Sequence, residues 1–199
     1  MGYKNRELEI KLMPVGVRKL EDMNATVRSW VETLDVESEY LVGDATDLYW
    51  HAPISSEGDF VRLRRTSGSR AQITMKSTDT EDITNRVEID LEVDDHTQAK
   101  VLCLGMFGKV IEKVRKKYYV YFLENDDTTI SVYQVKGDKR VFIEVEARSK
   151  RRIRQLTQSL MEYCGDMEFV WIKSSIYNMF VEKAPAQVSL IDNFFVKGA

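Results

Sequence analysis

Charged and aliphatic residues alternate along several stretches of the chain, and the alternation has the period of a β-strand. In Glu7-Leu8-Glu9-Ile10-Lys11 every second residue is charged. Successive side chains of a strand point to opposite faces. Glu7, Glu9 and Lys11 therefore share one face, and Leu8, Ile10 and Leu12 the other. The same pattern returns as Arg62-Leu63-Arg64, Arg86-Val87-Glu88-Ile89-Asp90, Lys113-Val114-Arg115 and Glu144-Val145-Glu146.

Around these stretches the pattern predicts a strand over 4–12, stopped by Pro14, and a helix over 16–34. Val17, Leu20, Val27, Val31 and Leu34 form the apolar stripe of that helix. Strands follow over 46–51, 59–66, 70–77 and 84–93, with Ser67-Gly68-Ser69 as a turn. Asp94 or Asp95 can cap a second helix over 96–107, and Gly108 can end it. Strands over 109–123, 128–136 and 140–148 are joined by turns at Asn125-Asp126-Asp127 and Lys136-Gly137-Asp138. A third helix spans 149–164, with Ile153, Leu156, Leu160 and Tyr163 on one side. A short strand over 168–173 and a short helix from Ser174 complete the pattern. The expectation is an α+β fold with about eight antiparallel strands, a number that permits closure into a small barrel. No linker divides the chain, so one domain over 1–183 and a tail over 184–199 are expected.

Two arrangements satisfy such strands. In one, the aliphatic faces form the core and the charged faces meet solvent. In the other, the charged faces line an enclosed lumen and helices cover the aliphatic faces from outside. Arginine and glutamate pairs recur at i and i+2 on different strands, and at least three amphipathic helices need an apolar sheet to cover. Both features favour the enclosed arrangement. The lumen then holds Lys11, Arg62, Arg64, Lys76, Arg86, Lys113 and Arg115, opposite Glu7, Glu9, Glu88, Glu144 and Glu146. Enclosed charges are costly unless they pair or bind something. A polyanion with divalent cations resolves the cost: guanidinium and ammonium groups take phosphate oxygens, and carboxylates take the metal.

Composition narrows the chemistry. A net charge of −3 over 199 residues argues against a general nucleic-acid binder. No apolar run approaches the ~20 residues of a membrane span, and no apolar signal region is visible, so a cytoplasmic protein is expected. Cys103 and Cys164 read as reduced buried thiols, and His51 and His96 are too few for a structural zinc site. The cluster Lys150, Arg151, Arg152 and Arg154 reads as a solvated helix face.

The ordered set Glu7-x-Glu9-x-Lys11, Asp47-x-Tyr49, Arg62-x-Arg64, Lys76, Arg86-x-Glu88, Lys113-x-Arg115 and Glu144-x-Glu146 resembles the CYTH family, also called the triphosphate tunnel metalloenzymes. Ser174-Ser175-Ile176-Tyr177 resembles a segment near the end of that domain, and the resemblance runs over about 4–180. It implies a closed eight-stranded antiparallel tunnel with a charged lumen and helices outside. It also implies phosphate contacts from Arg62, Arg64, Lys76 and Arg115, with Lys11, Arg86 and Lys113 beside them. Metal ligands would be Glu7, Glu9, Glu144 and Glu146, holding Mg2+ or Mn2+. Lys11, Tyr49, Glu144 and Glu146 would be the catalytic groups, and Glu88 would support the cationic wall. Two positions depart from the pattern: His51 stands where an aspartate is common, and so does Gln134, or Tyr133 under a one-residue shift.

The resemblance implies metal-dependent hydrolysis of a triphosphate. A class IV adenylyl cyclase, forming cyclic AMP and pyrophosphate from ATP, uses the same motifs. A binding module that holds a nucleotide or polyphosphate without turnover is the third reading. The expected partner is a triphosphate-bearing small molecule, with nucleic acid entering only as a 5′-triphosphate end, and the expected state is monomer or homodimer.

Overall fold

The computed structural model describes residues 5–52, 59–67, 70–78, 85–123 and 127–191, excluding the side chains of 5–7, 77–78, 85–87 and 190. It is an α+β fold with a large antiparallel sheet. The strands are β1 (Asn5–Pro14), β2 (Ser38–His51), β3 (Phe60–Thr66), β4 (Ala71–Thr78), β5 (Asn85–Val93), β6 (Glu112–Leu123), β7 (Thr128–Val135), β8 (Phe142–Glu146), β9 (Phe169–Ile172) and β10 (Val188–Leu190). The helices are α1 (Leu20–Glu32), α2 (His96–Phe107) and α3 (Lys150–Cys164), and a π-helical turn covers Tyr177–Val181. The strand order is β10-β9-β1-β5-β4-β3-β2-β6-β7-β8, and β1 also pairs with β8.

Ten strands are described where about eight were expected. The last, β10, lies in the stretch expected as a tail, where Val188 pairs with Ile172. Strand β2 begins at Ser38 rather than at 46. Its first part, Tyr40-Leu41-Val42, is exposed throughout, so no alternation announces it.

Two compact units can be distinguished. One comprises Met1–Glu7, Gly43–Lys116 and Ser174–Pro185, the other Leu8–Val42, Lys117–Lys173 and Ala186–Ala199.

In the first unit, β2, β3, β4 and β5 form a meander. Leu48, Trp50, Val61, Leu63 and Ala71 on one face pack with Ala99 and Cys103 of α2. The Asp95 carboxylate starts α2 by accepting hydrogen bonds from the backbone N–H groups of Thr97 and Gln98, at 2.7 and 3.1 Å. Gly108 ends it at φ 77°, a conformation that costs a residue without Cβ nothing. The Gly108 carbonyl then accepts a hydrogen bond from Trp50 Nε1 at 3.1 Å.

In the second unit, Ile10 and Leu12 of β1 stand opposite Val145 and Ile143 of β8, which in turn face Ile130 and Val132 of β7. All of these are fully buried. Helices α1 and α3 pack on this sheet and on each other, and Trp30 Nε1 donates to Ser159 Oγ at 3.1 Å. In both units the aliphatic face is the one the helices cover. Among the described residues no helix is long and apolar enough to cross a membrane. Both cysteines are free thiols.

Candidate functional site

The charged faces are withdrawn from water: Lys11, Asp47, Lys76 and Glu88 are all buried. They form two clusters, one in each unit.

The first cluster follows from the register of the β2–β5 meander. Tyr49 stands opposite Arg62, Arg62 opposite Thr74, and Thr74 opposite Asp90. In the next rows Asp47 faces Arg64, and Lys76 faces Glu88. Arg64 grips Asp47 with two hydrogen bonds, Nε to Oδ1 at 2.8 Å and Nη2 to Oδ2 at 2.9 Å. Arg62 Nη2 donates to Thr74 Oγ1 at 2.9 Å, and the same hydroxyl donates to Asp90 Oδ1 at 2.6 Å. Glu88 lies between two cations, 3.0 Å from Lys76 Nζ and 3.6 Å from Arg62 Nη2. Arg62 is 11% exposed, and its Nε is buried with no hydrogen-bond partner among the described residues.

Electrostatics match this geometry. Burial alone would raise the Asp47 pKa, but the charges of Arg64, Lys116 and Arg62 and the Arg64 hydrogen bonds hold it well below the usual carboxylate range. Burial, and then the Asp47 charge, push the Tyr49 phenol above its ordinary value, so it stays protonated. Its hydroxyl lies 3.5 Å from Asp47 Oδ2, and its ring packs against Phe60 and Tyr177. Withdrawal from water, and then the Glu88 charge, raise the Asp90 pKa. His51, where an aspartate was expected, shares a 2.8 Å hydrogen bond between its Nδ1 and the Tyr177 hydroxyl.

The second cluster lies across β1, β8 and β7. Glu9 stands opposite Glu146, and Lys11 opposite Glu144. Lys11 Nζ is 3.0 Å from Glu144 Oε1 and 4.0 Å from Glu9 Oε1. Tyr133 donates to Glu144 Oε1 at 2.9 Å, and Thr129 donates to Glu146 Oε2 at 3.2 Å. The register resolves the departure on β7. Thr129 faces Glu146 and Ser131 faces Glu144, so Tyr133 continues this face. Gln134 lies on the opposite face, where its amide donates to the Arg18 carbonyl at 3.3 Å. The residue beside the glutamate pair is a phenol, not an amide.

Other expected residues fall differently. Lys113 and Arg115 are exposed and make no ion pair among the described residues. The β6 cation that acts on Asp47 is Lys116, which is partly buried. The side chains of Glu7 and Arg86 lie outside the described residues. Thr74, Lys116 and the partnership of Asp47 with Arg64 were not anticipated, and Asp90, read on an alternating charged stretch, was given no role. Thr74 and Asp90 sit two positions from Lys76 and Glu88, on the same faces of β4 and β5.

No family model matches the sequence, and no curated protein matches it significantly. Solved structures do match the fold. The PH1012 protein from Pyrococcus horikoshii OT3 is 20% identical, with a TM-score of 0.64 over 90% of this chain and 99% of that one. HpAC1 from Hippeastrum, a candidate adenylyl cyclase with a dominant triphosphatase activity, is 12% identical, with a TM-score of 0.63 over 91% and 97%. A candidate adenylate cyclase from Vibrio parahaemolyticus is 15% identical, with a TM-score of 0.61 over 79% and 90%. This chain therefore shares the fold of these proteins.

The resemblance set out from the sequence implies a divalent metal, and the second cluster is where such an ion would be sought. Glu9 and Glu146 are register partners, and hard carboxylate oxygens are the donors Mg2+ and Mn2+ prefer. The donor chemistry fits. Among the described residues, however, no group of three or more acidic, histidine or thiol side chains is already gathered around one point.

Proposed function

We propose that this chain hydrolyses a triphosphate, inorganic or organic, with the help of a divalent metal. The observation that carries this reading is the Arg62–Arg64–Lys76 cluster. Three cations share one sheet face, and each is held by an acid or hydroxyl on a neighbouring strand. Cations oriented in advance stabilise phosphoryl charge without reorganising during the reaction. The unpartnered, buried Nε of Arg62 leaves one donor edge for a phosphate oxygen. The triphosphatase activity described for the Hippeastrum protein supports the same reading.

In this reading Arg62, Arg64 and Lys76 bind phosphoryl oxygens. Lys11 neutralises charge beside Glu144, and Tyr49, a protonated phenol, serves as a donor. Glu9, Glu144 and Glu146, with Glu7, would hold Mg2+ or Mn2+. When bound, the ion would offset phosphate charge and orient the attacking water. Glu144 must then share its oxygens with Lys11 and Tyr133, so these two groups set how strongly it binds a metal.

The test is phosphate release from tripolyphosphate, ATP, thiamine triphosphate and 5′-triphosphate RNA with each metal. Arg62→Ala and Glu144→Ala should each cost on the order of 10²-fold in rate. Unchanged rates in both variants would refute the assignment. A second reading, adenylyl cyclase, is favoured by the description of the Vibrio protein. ATP with Mn2+ separates the two: cyclic AMP and pyrophosphate mean cyclase, and ADP and phosphate mean triphosphatase. Tight binding without product would mean a binding module.

A further inference from the structure

After a first part that exposes Thr97, Gln98 and Lys100, helix α2 carries no polar side chain from Val101 to Phe107. Ala99 and Cys103 point into the core, yet Val101, Leu102, Leu104 and Met106 are exposed, with Val101 at 65% and Met106 at 62%. A helical stretch that is apolar all round is ordinarily covered on every side. The sheet beneath it shows the matching deficit. On the outer face of the meander, Val61 and Leu63 of β3 are fully covered, and Ile73 and Val93 are half covered at the margin of α2. One step further, Met75, Leu91 and Ile89 stand open, with Leu91 at 57%. Leu91 pairs with Ile73 and Ile89 with Met75, so the open strip continues the covered one.

We propose that a second copy of this chain covers this face, forming a homodimer in which the α2 of each copy lies over the β4–β5 strip of the other. The argument for a second copy is self-complementarity. Each chain carries a helix that lacks cover and, beside it, a strip of sheet that lacks a helix. A two-fold axis satisfies both needs twice with one pair of surfaces. An apolar patch is compatible with itself in a way a charged patch is not. The exposed part of these seven side chains is on the order of 600 Å², at the upper end for a monomer's largest patch and close to the about 800 Å² per partner of a standard interface. Gly105, whose Cβ position meets nothing within 4 Å, lets a partner approach the outer side of α2 closely.

The experiment is sedimentation equilibrium of the full chain over the micromolar range. The wild type should sediment as a dimer, and Met106→Glu and Leu91→Glu should each raise its dissociation constant at least tenfold, with far-UV circular dichroism unchanged. A monomer at every concentration overturns the proposal, as does a dimer indifferent to both substitutions. Should the variants not fold, the oligomeric state of the wild type together with its amide hydrogen exchange still decides. Amide hydrogen exchange in α2 and β5 should slow as concentration rises, and exchange independent of concentration overturns the proposal. None of these residues belongs to either polar cluster, so the outcome is independent of the proposed activity.

Discussion

Asp47→Asn is the sharpest probe of the first cluster, because it removes a charge and almost no volume. Asp47 is 0% exposed and takes two Arg64 hydrogen bonds, at 2.8 and 2.9 Å. Removing one partner of a buried ion pair costs about 3–5 kcal/mol, because the other charge is left uncompensated. Two features place the loss at the lower end. The amide keeps one acceptor oxygen, and Arg64 is 23% exposed, so water shares part of its charge. The expected loss is about 3 kcal/mol near neutral pH, read by urea denaturation.

The pH dependence gives an independent check. The folded-state pKa of Asp47 lies below its ordinary value of 3.8. A carboxyl with a depressed folded pKa contributes stability that is complete above the unfolded value and is lost as pH falls toward the folded one. The gap between wild type and Asp47→Asn should therefore be full at neutral pH and close as the solution is acidified through 3.8 and below. A loss under about 1 kcal/mol at neutral pH, or a gap that widens on acidification, would refute the argument. The same variant should weaken tripolyphosphate binding, since Arg64 then lacks the grip that orients it.

Two further outcomes follow from the hydroxyl bridges. Thr74→Val should strip Arg62 and Asp90 of a shared partner and weaken tripolyphosphate binding about tenfold by calorimetry, a change of about 1.4 kcal/mol; Thr74→Ser should restore it, and equal binding in all three proteins would exclude a positioning role. Tyr133→Phe removes one of the donors on Glu144 and should shift the metal concentration needed for half-maximal activity, with folding unchanged, whereas an unaltered metal titration would show that the phenol does not tune Glu144.

Period-two alternation carried most of the candidate site. Glu9, Lys11, Arg62, Arg64, Lys76, Glu88, Glu144 and Glu146 were assigned to charged faces because aliphatic neighbours fixed their phase, and the register places each on such a face. Thr74 escaped notice because an uncharged hydroxyl in a strand reads as filler until its two partners are known. On β7, Ser131-Val132-Tyr133-Gln134 offers polar atoms in both phases, and only the pairing of Ser131 with Glu144 shows that Tyr133 shares the acidic face. On β6, Lys113-Val114-Arg115-Lys116-Lys117 is cationic in both phases, so the sequence could not say which cation reaches Asp47. Helix α2 is the apolar counterpart. Val101-Leu102-Cys103-Leu104 predicts a helix that wants cover but not how much of it the chain provides. Alternation reports phase, and a run that is charged or apolar at every position has none. There the choice passes to tertiary packing, which buries Lys116 in part, exposes Lys113 and Arg115, and leaves the outer side of α2 open for another surface to cover.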